Sequence, residues 1–181
     1  MDPFDATAHS VVASAALCAG RWDDAAEAQR RIRELSPNYQ GTHYSVGMRL
    51  LLSGDAAGAL GEFEQEPIIP SRLSGSALAL YSLGRTTEFE QALRELRATP
   101  GPRQAILIAL ACAWSGDANG AFESLAASAA RHEPDLWFIV SGHILARTLA
   151  GDPRWLPFLR AHGLAPEQLA AIPFEVKLPQ Q

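Results

Sequence analysis

The chain of 181 residues is poor in lysine: Lys177 is the only one, and the remaining cations are arginines. Lys and Arg together number 15 against 20 Asp and Glu, a net charge of −5, and no basic block occurs. A nucleic-acid surface needs a stripe of cations to neutralise phosphates, so that class of partner is set aside. No apolar run reaches the roughly 18 residues that a membrane span requires. The opening "MDPFDA" lacks the basic-then-apolar order of a secretory signal. Cysteine is scarce, with Cys18 and Cys112 far apart. A disulfide between them is possible on count alone, nothing in the pattern supports it, and the compartment stays open. Strand-type alternation is missing at any length. What the chain has in quantity is apolar residue, 48% against 19% charged, enough to bury a sizeable core.

The positive signal is self-similarity. The loops "CAGRWDDA", "LSGDAAGA", "SLGRTTEF", "WSGDANGA" and "LAGDPRW" each follow an apolar stretch, and each carries a Gly before a polar residue. Gly20, Gly54, Gly84, Gly116 and Gly151 recur at intervals of 34, 30, 32 and 35 residues. Glycine ends a helix because it accepts the left-handed conformation, and an Asp, Thr or Asn after it can cap the next helix. Each loop therefore reads as the turn of a helical hairpin. The flanks have helical period: Val12, Ala13, Ala16 and Leu17 before the first turn, and Trp22, Ala25, Ala26, Ile32 and Leu35 after it. Asp23, Glu27, Arg30, Arg31 and Glu34 point the other way, with Glu27 and Arg31 set for an i,i+4 pair. The expectation is an all-α chain of antiparallel helix pairs.

A helical pair recurring near 34 residues cannot bury its apolar face alone and must stack on the next. The residues in phase are His9, Val12-Ala13, Ala16 and Ala25 in the first unit, and His43, Val46-Gly47, Leu50, Ala59 and Phe63 in the second. Leu73, Ser76-Ala77, Leu80, Phe89 and Leu93 form the third; Ala105, Ile108-Ala109, Cys112, Ala121 and Leu125 form the fourth. On these residues residues 1–133 resemble the tetratricopeptide repeat (TPR) family. The resemblance implies a right-handed superhelical solenoid of about four degenerate repeats closed by C-terminal capping helices. Ala13, Gly47, Ala77 and Ala109 then fall where two helices cross closely. Pro67 and Pro70 in "EQEPIIPS" truncate the second helix of the second unit.

Beyond Pro134 the pattern fades. "DLWFIVSGHILARTLA" reads as a looser helix broken at Ser141-Gly142. "DPRWLPFLRAHGL" reads as a short helix started by Asp152-Pro153, and "PEQLAAIPFEVKLP" as a last helical turn with an extended tail. The divisions are 1–5 as the end of an upstream repeat, 6–133 as four helix pairs, 134–165 as degenerate caps and 166–181 as the tail. "GDPRWLPFLRAHGL" is also similar to the C-terminal TPR region of multidomain bacterial signalling proteins, class III nucleotide cyclases and winged-helix regulators among them. That resemblance implies a cytoplasmic domain, or an extracytoplasmic one if the parent is a membrane-tethered regulator. Pro3 lies one repeat before Pro37, so "DPFD" reads as the cut edge of a preceding unit.

Candidate chemistry is sparse. His9 and His43 occupy equivalent positions and read as packing residues, and no ligand spacing appears around His132, His143 or His162. Cys18 and Cys112 lie on apolar faces with no activating His in view. The carboxylates Asp23-Asp24-Glu27, Glu62-Glu64-Glu66 and Glu88-Glu90-Glu95 read as solvated helix faces beside arginines. "GDANG" lacks the later acidic ligands of a calcium loop, and no phosphate-cradling Gly-Lys-Ser/Thr motif occurs. No catalytic residue, metal or cofactor is expected, although the parent protein could itself be an enzyme such as a cyclase. What remains is the inner face of the first helices, which register assigns to Thr7, Ser10, Ser14, Tyr44, Met48, Leu51, Ser74, Leu78, Tyr81, Arg103, Ile106 and Leu110. Tyr44, Met48, Leu78, Tyr81, Arg103 and Ile106 are the expected partner contacts, for a peptide or partner helix. The resemblance also admits two other readings: a homodimerisation module of a cyclase or regulator, and a stand-alone enzyme with an unrecognised site. TPR modules that grip a terminal carboxylate use Lys and Asn in this groove, and none of these residues is either.

Overall fold

The computed structural model describes residues 5–101, 103–132 and 144–173. Among them every regular element is helical: α1 (Ala6–Cys18), α2 (Trp22–Leu35), α3 (Thr42–Leu52), α4 (Ala56–Glu64), α5 (Ile69–Ser82), α6 (Thr86–Ala98), α7 (Gln104–Trp114), α8 (Ala118–Ala130), α9 (Ile144–Leu149), α10 (Trp155–Ala161) and α11 (Pro166–Ala170). Neighbouring helices pack as pairs, α1 on α2 through α7 on α8, and each pair leans on the next. The odd-numbered helices also pack in series, α1 on α3, α3 on α5, α5 on α7 and α7 on α9.

The hairpin turns repeat bond for bond. In each, the residue before the Gly donates to a carbonyl four back, the Gly to one three back and the next residue to one five back. Ala19–Arg21, Ser53–Asp55, Leu83–Arg85 and Ser115–Asp117 all follow this scheme. It satisfies the carbonyls left open at a helix end and demands a left-handed residue. Gly20, Gly54, Gly84 and Gly116 supply it with φ of 69°, 99°, 71° and 84°. Gly151, expected as the fifth, does not have positive φ; that role falls to Gly163, at 72°.

Two kinds of helix start alternate down the chain. Asp55 and Asp117 cap α4 and α8 by accepting the Gly58 and Gly120 N–H at 2.8 and 2.9 Å. At α2 and α6 an Arg holds the cap position without a side-chain cap. It instead pairs one turn on, Arg21 with Asp24 at 2.5 Å and Arg85 with Glu88 at 2.6 Å. The polar face of α2 carries a network in which Glu27 pairs with Arg30 at 2.6 Å and Arg31 at 3.3 Å.

The small residues mark close crossings. Ala13, Ala77 and Ala109 are completely buried. Phe63, also completely buried, lies between Gly47 of α3 and Gly75 of α5. A Cβ at either glycine would sit 2.6 or 2.2 Å from its ring. In the first unit the position matching Phe63 is Gln29, whose amide donates to Ser45 O (2.9 Å) and Ser45 Oγ (3.0 Å) and accepts from Arg49 Nε (2.9 Å). α4 is short, nine residues against 13 or 14 for α2, α6 and α8, as the prolines require, and Pro70 sits in the first turn of α5. Leu35 is more exposed than its register suggests, at 36%. α10 begins at Trp155, two residues later than "DP" implied; Asp152 instead accepts the Arg154 N–H at 2.9 Å. The expected break at Ser141-Gly142, the tail after residue 173 and the opening "MDPF" lie outside the described residues.

Candidate functional site

A cavity of about 810 Å³ is lined by residues of α1, α3, α7 and α9, with Ile32 of α2. The α2–α3 connection and the start of α5 complete its wall. Its floor is apolar, with Leu17, Met48, Ile106, Leu107, Leu110 and Leu145. Neutral polar groups rim it: Tyr39 donates its hydroxyl to Ser10 Oγ at 3.3 Å, and Ser10 donates in turn to Thr7 O at 2.7 Å. Arg103 and Arg147 line it too, and no Asp or Glu is found among the described lining residues.

The α3 wall is positioned by an unusual device. Gly41, with φ of 81°, is the residue before α3 and offers no capping side chain. The open N–H of Tyr44 is taken at 3.0 Å by Glu66, two residues past the end of α4, and the other carboxylate oxygen accepts Ile68 N–H at 3.2 Å. Glu66 is completely buried. An isolated carboxylate there would be costly; two backbone donors and the positive end of α3 offset that cost. The same bond fixes Tyr44, whose ring lies 5.6 Å from that of Phe63. Burial pushes the Tyr44 phenol up, with the charge of Arg103 opposing.

Arg103 precedes α7 in the left-handed conformation, φ 65°. That region disfavours a side chain by roughly 1–2 kcal/mol.

Of the six expected contacts, Tyr44, Met48, Arg103 and Ile106 share this cavity, as do Ser10, Ser14 and Leu110 of the wider set. Leu78 does not reach it and is completely buried. α5 packs on α3, α4, α6 and α7, so its inward residues become core rather than surface. Ser74 is equally buried and donates to Leu107 O at 3.3 Å, and Leu51 is 5% exposed. Tyr81 is exposed at the end of α5, edge-on to Phe89 at 5.3 Å. Asn38, Tyr39 and Gln40 of the α2–α3 connection and Arg147 of α9 line the cavity without having been expected. The first three lie in a polar connection that carries an aromatic, Tyr39, and is longer than the hairpin turns. Arg147 lies past the end of the repeat, where register gives no guidance.

His43 pairs with Glu62 at 2.9 Å, which also holds Arg33 at 2.9 Å, tying α2, α3 and α4. Cys112 is buried, its thiol pushed up by that burial, with Arg97 at 3.7 Å. Cys18 is half-buried at the cavity edge. Among the described residues no three His, Cys, Asp or Glu converge as a metal set, and no helix is long and apolar enough to cross a membrane. Comparison with protein-family models, with curated proteins and with solved structures finds no match to this chain.

Proposed function

We propose that the chain is a non-catalytic interaction module of the TPR kind, and that it docks a peptide or partner helix in the cavity of the odd-numbered helices. The observation that carries this reading is the cavity itself. Residues of α1 and α7 line one space, although the packing between them runs through α3 and α5. A stack of pairs brings its first and fourth units round a common hollow when each pair is rotated slightly on the last, which is how solenoids make concave binding faces. The four identical turns support the stack, and an apolar floor with a neutral polar rim suits an amphipathic segment. A volume of about 810 Å³ is within the range of formed ligand sites.

The setting we infer is a region of a larger bacterial signalling protein. It rests on the "GDPRWLPFLRAHGL" resemblance, supported by the bounds of that segment. The Asp152 turn opens it, Gly163 closes it, and Trp155 and Leu159 are buried.

Panning a random octapeptide display library against the full chain, beside a Ser14→Trp variant whose indole occupies the cavity, tests the reading. Enriched peptides that bind the parent and lose at least tenfold affinity for the variant are expected. A library that yields no binder, or binders indifferent to Ser14→Trp, rejects docking in this cavity. Sedimentation of the chain alone separates this module from one that serves only to pair with itself.

A further inference from the structure

We propose that this chain pairs with a second copy of itself through the outer face of α1, the two helices lying antiparallel and crossing between Val11 and Val12. The inference stands apart from docking in the cavity, which uses another side of the same helix. α1 presents three faces. Ala13 and Ala16 are buried. Ser10, Ser14 and Leu17 line the cavity. Helical spacing puts Thr7, Ala8, Val11, Val12 and Ala15 together on the third face. There Thr7, Val11 and Ala15 are exposed, Val11 at 62%, and Ala8 and Val12 are half-buried.

The repeat shows what this face does in the other units. In the register that aligns Ala13 with Gly47, Ala77 and Ala109, Val11 and Ala15 correspond to Ser45 and Arg49 of α3. They correspond to Gly75 and Ala79 of α5 and to Leu107 and Ala111 of α7. Gln29 of α2 bonds both Ser45 and Arg49. The Phe63 ring of α4 lies against Gly75. Gly75, Ala79, Leu107 and Ala111 are all buried. Each later unit therefore uses these positions to stack on the helices before it, a contact the chain makes three times. α1 brings the same positions to the surface, and brings them as valine and alanine. An apolar stacking face of this kind is stabilised by being covered.

The chemistry of the face fits a copy of itself. An isologous interface has to be self-complementary, each residue meeting its symmetry mate's neighbourhood. Ala8, Val11, Val12 and Ala15 read Ala-Val-Val-Ala from either end. An antiparallel pair about their midpoint sets valine on valine at the centre and alanine beside alanine at both flanks. The alanines let the two axes come close, and the helix dipoles oppose. Charge points the same way. The chain carries a net −5, so two copies repel over much of their surface, but α1 has no Asp, Glu, Lys or Arg along its length. Two copies meet there without like charges in contact, and a charged partner helix finds no counter-charge in it.

Sedimentation equilibrium of the full chain, from micromolar to millimolar concentration, is expected to show a dimer that dissociates on dilution. Val11→Glu and Val11→Lys should each weaken it at least tenfold, because like charges then face each other across the crossing. An equimolar mixture of the two variants should dimerise again, opposite charges now meeting. Ala15→Glu should weaken the dimer by a second route. Val11 and Ala15 are exposed in the single chain, so the variants should keep the parent's far-UV circular dichroism. A parent that stays monomeric to millimolar concentration overturns the proposal and leaves the face to another occupant. A dimer indifferent to Val11→Glu and Val11→Lys places pairing elsewhere and overturns it too, as does a mixture that fails to re-form. Each of these failures leaves docking in the cavity standing, since Ser14→Trp decides that by itself.

Discussion

Replacing Gly75 by Ala sets two effects of known size against each other. Gly75 lies inside α5, and helix propensity alone favours Ala there by about 1 kcal/mol. The new Cβ would stand 2.2 Å from Phe63 Cδ1, where carbon contacts are comfortable at about 3.5–4.0 Å. The ring has to retreat by more than about 1 Å. It has nowhere to go, because it is completely buried and Gly47 closes the other side, with its own Cβ position 2.6 Å from the ring. Overpacking of this kind costs about 1–3 kcal/mol, and a ring held from two sides belongs at the upper end. Gly75→Ala should therefore lower stability by about 2 kcal/mol once propensity is subtracted. Gly61→Ala is the control: it lies within α4 with nothing within 4 Å of its Cβ position, and should raise stability by up to about 1 kcal/mol. Urea unfolding followed by far-UV circular dichroism reads both. Phe63→Leu, destabilising alone, should partly rescue Gly75→Ala, with a coupling of about 1–3 kcal/mol in a double-mutant cycle. If Gly75→Ala is as stable as the parent while Gly61→Ala gains, the ring is not wedged between two helices and the crossing of α3 with α5 is wrongly drawn.

Glu66→Ala leaves two backbone N–H groups near the cavity without an acceptor and should cost about 3 kcal/mol in urea unfolding. A loss under about 0.5 kcal/mol would show that the cap across α4 and α3 carries nothing. The Arg154 side chain and backbone N–H hold the Asp152 carboxyl down at about 2, from an ordinary 3.8. A lowered folded-state value stabilises above the ordinary one and is lost as pH falls from about 4 towards about 2. Asp152→Asn should flatten the decline in stability across that window, and an unchanged acid titration would refute the pairing. Cys18, half-buried, should react with a thiol reagent in the folded protein, whereas Cys112, buried and with its thiol pushed up, should react only on unfolding; equal rates would contradict the packing of α7.

How much of this was legible in the sequence depends on how local the cause is. The hairpin turns were readable because a left-handed residue followed by a cap is set by adjacent positions. Gly20, Gly54, Gly84 and Gly116 each obey that logic. Gly151 shares the letters and fails, since Asp152 and Pro153 turn the chain by another route, an Asx turn onto Arg154. The crossing at Gly47 could be placed by register, but Gly75 could not. Its need arises from a ring twelve residues earlier in sequence on α4 and from the extra pressure of Gly47 beyond it.

The cavity shows the same division more sharply. Register correctly aims a residue at the inner side of its helix, yet whether that side is surface or core depends on how far the neighbouring helices close over it. α1, at one end of the series, leaves Ser10 and Ser14 open, and α5, between α3 and α7, buries Leu78 and Ser74 although they occupy comparable positions. Arg147 arrives on the wall only because α9 packs on α7, an event no spacing encodes. Among the described lining residues the charged groups come from two places: Arg103 at the start of the last full unit and Arg147 just beyond the repeats. Removing α9 should leave α7 short of its cover and the cavity wall without Arg147. A substitution confined to Arg147 leaves that cover in place, so the loss of the side chain and the loss of the packing can be read apart.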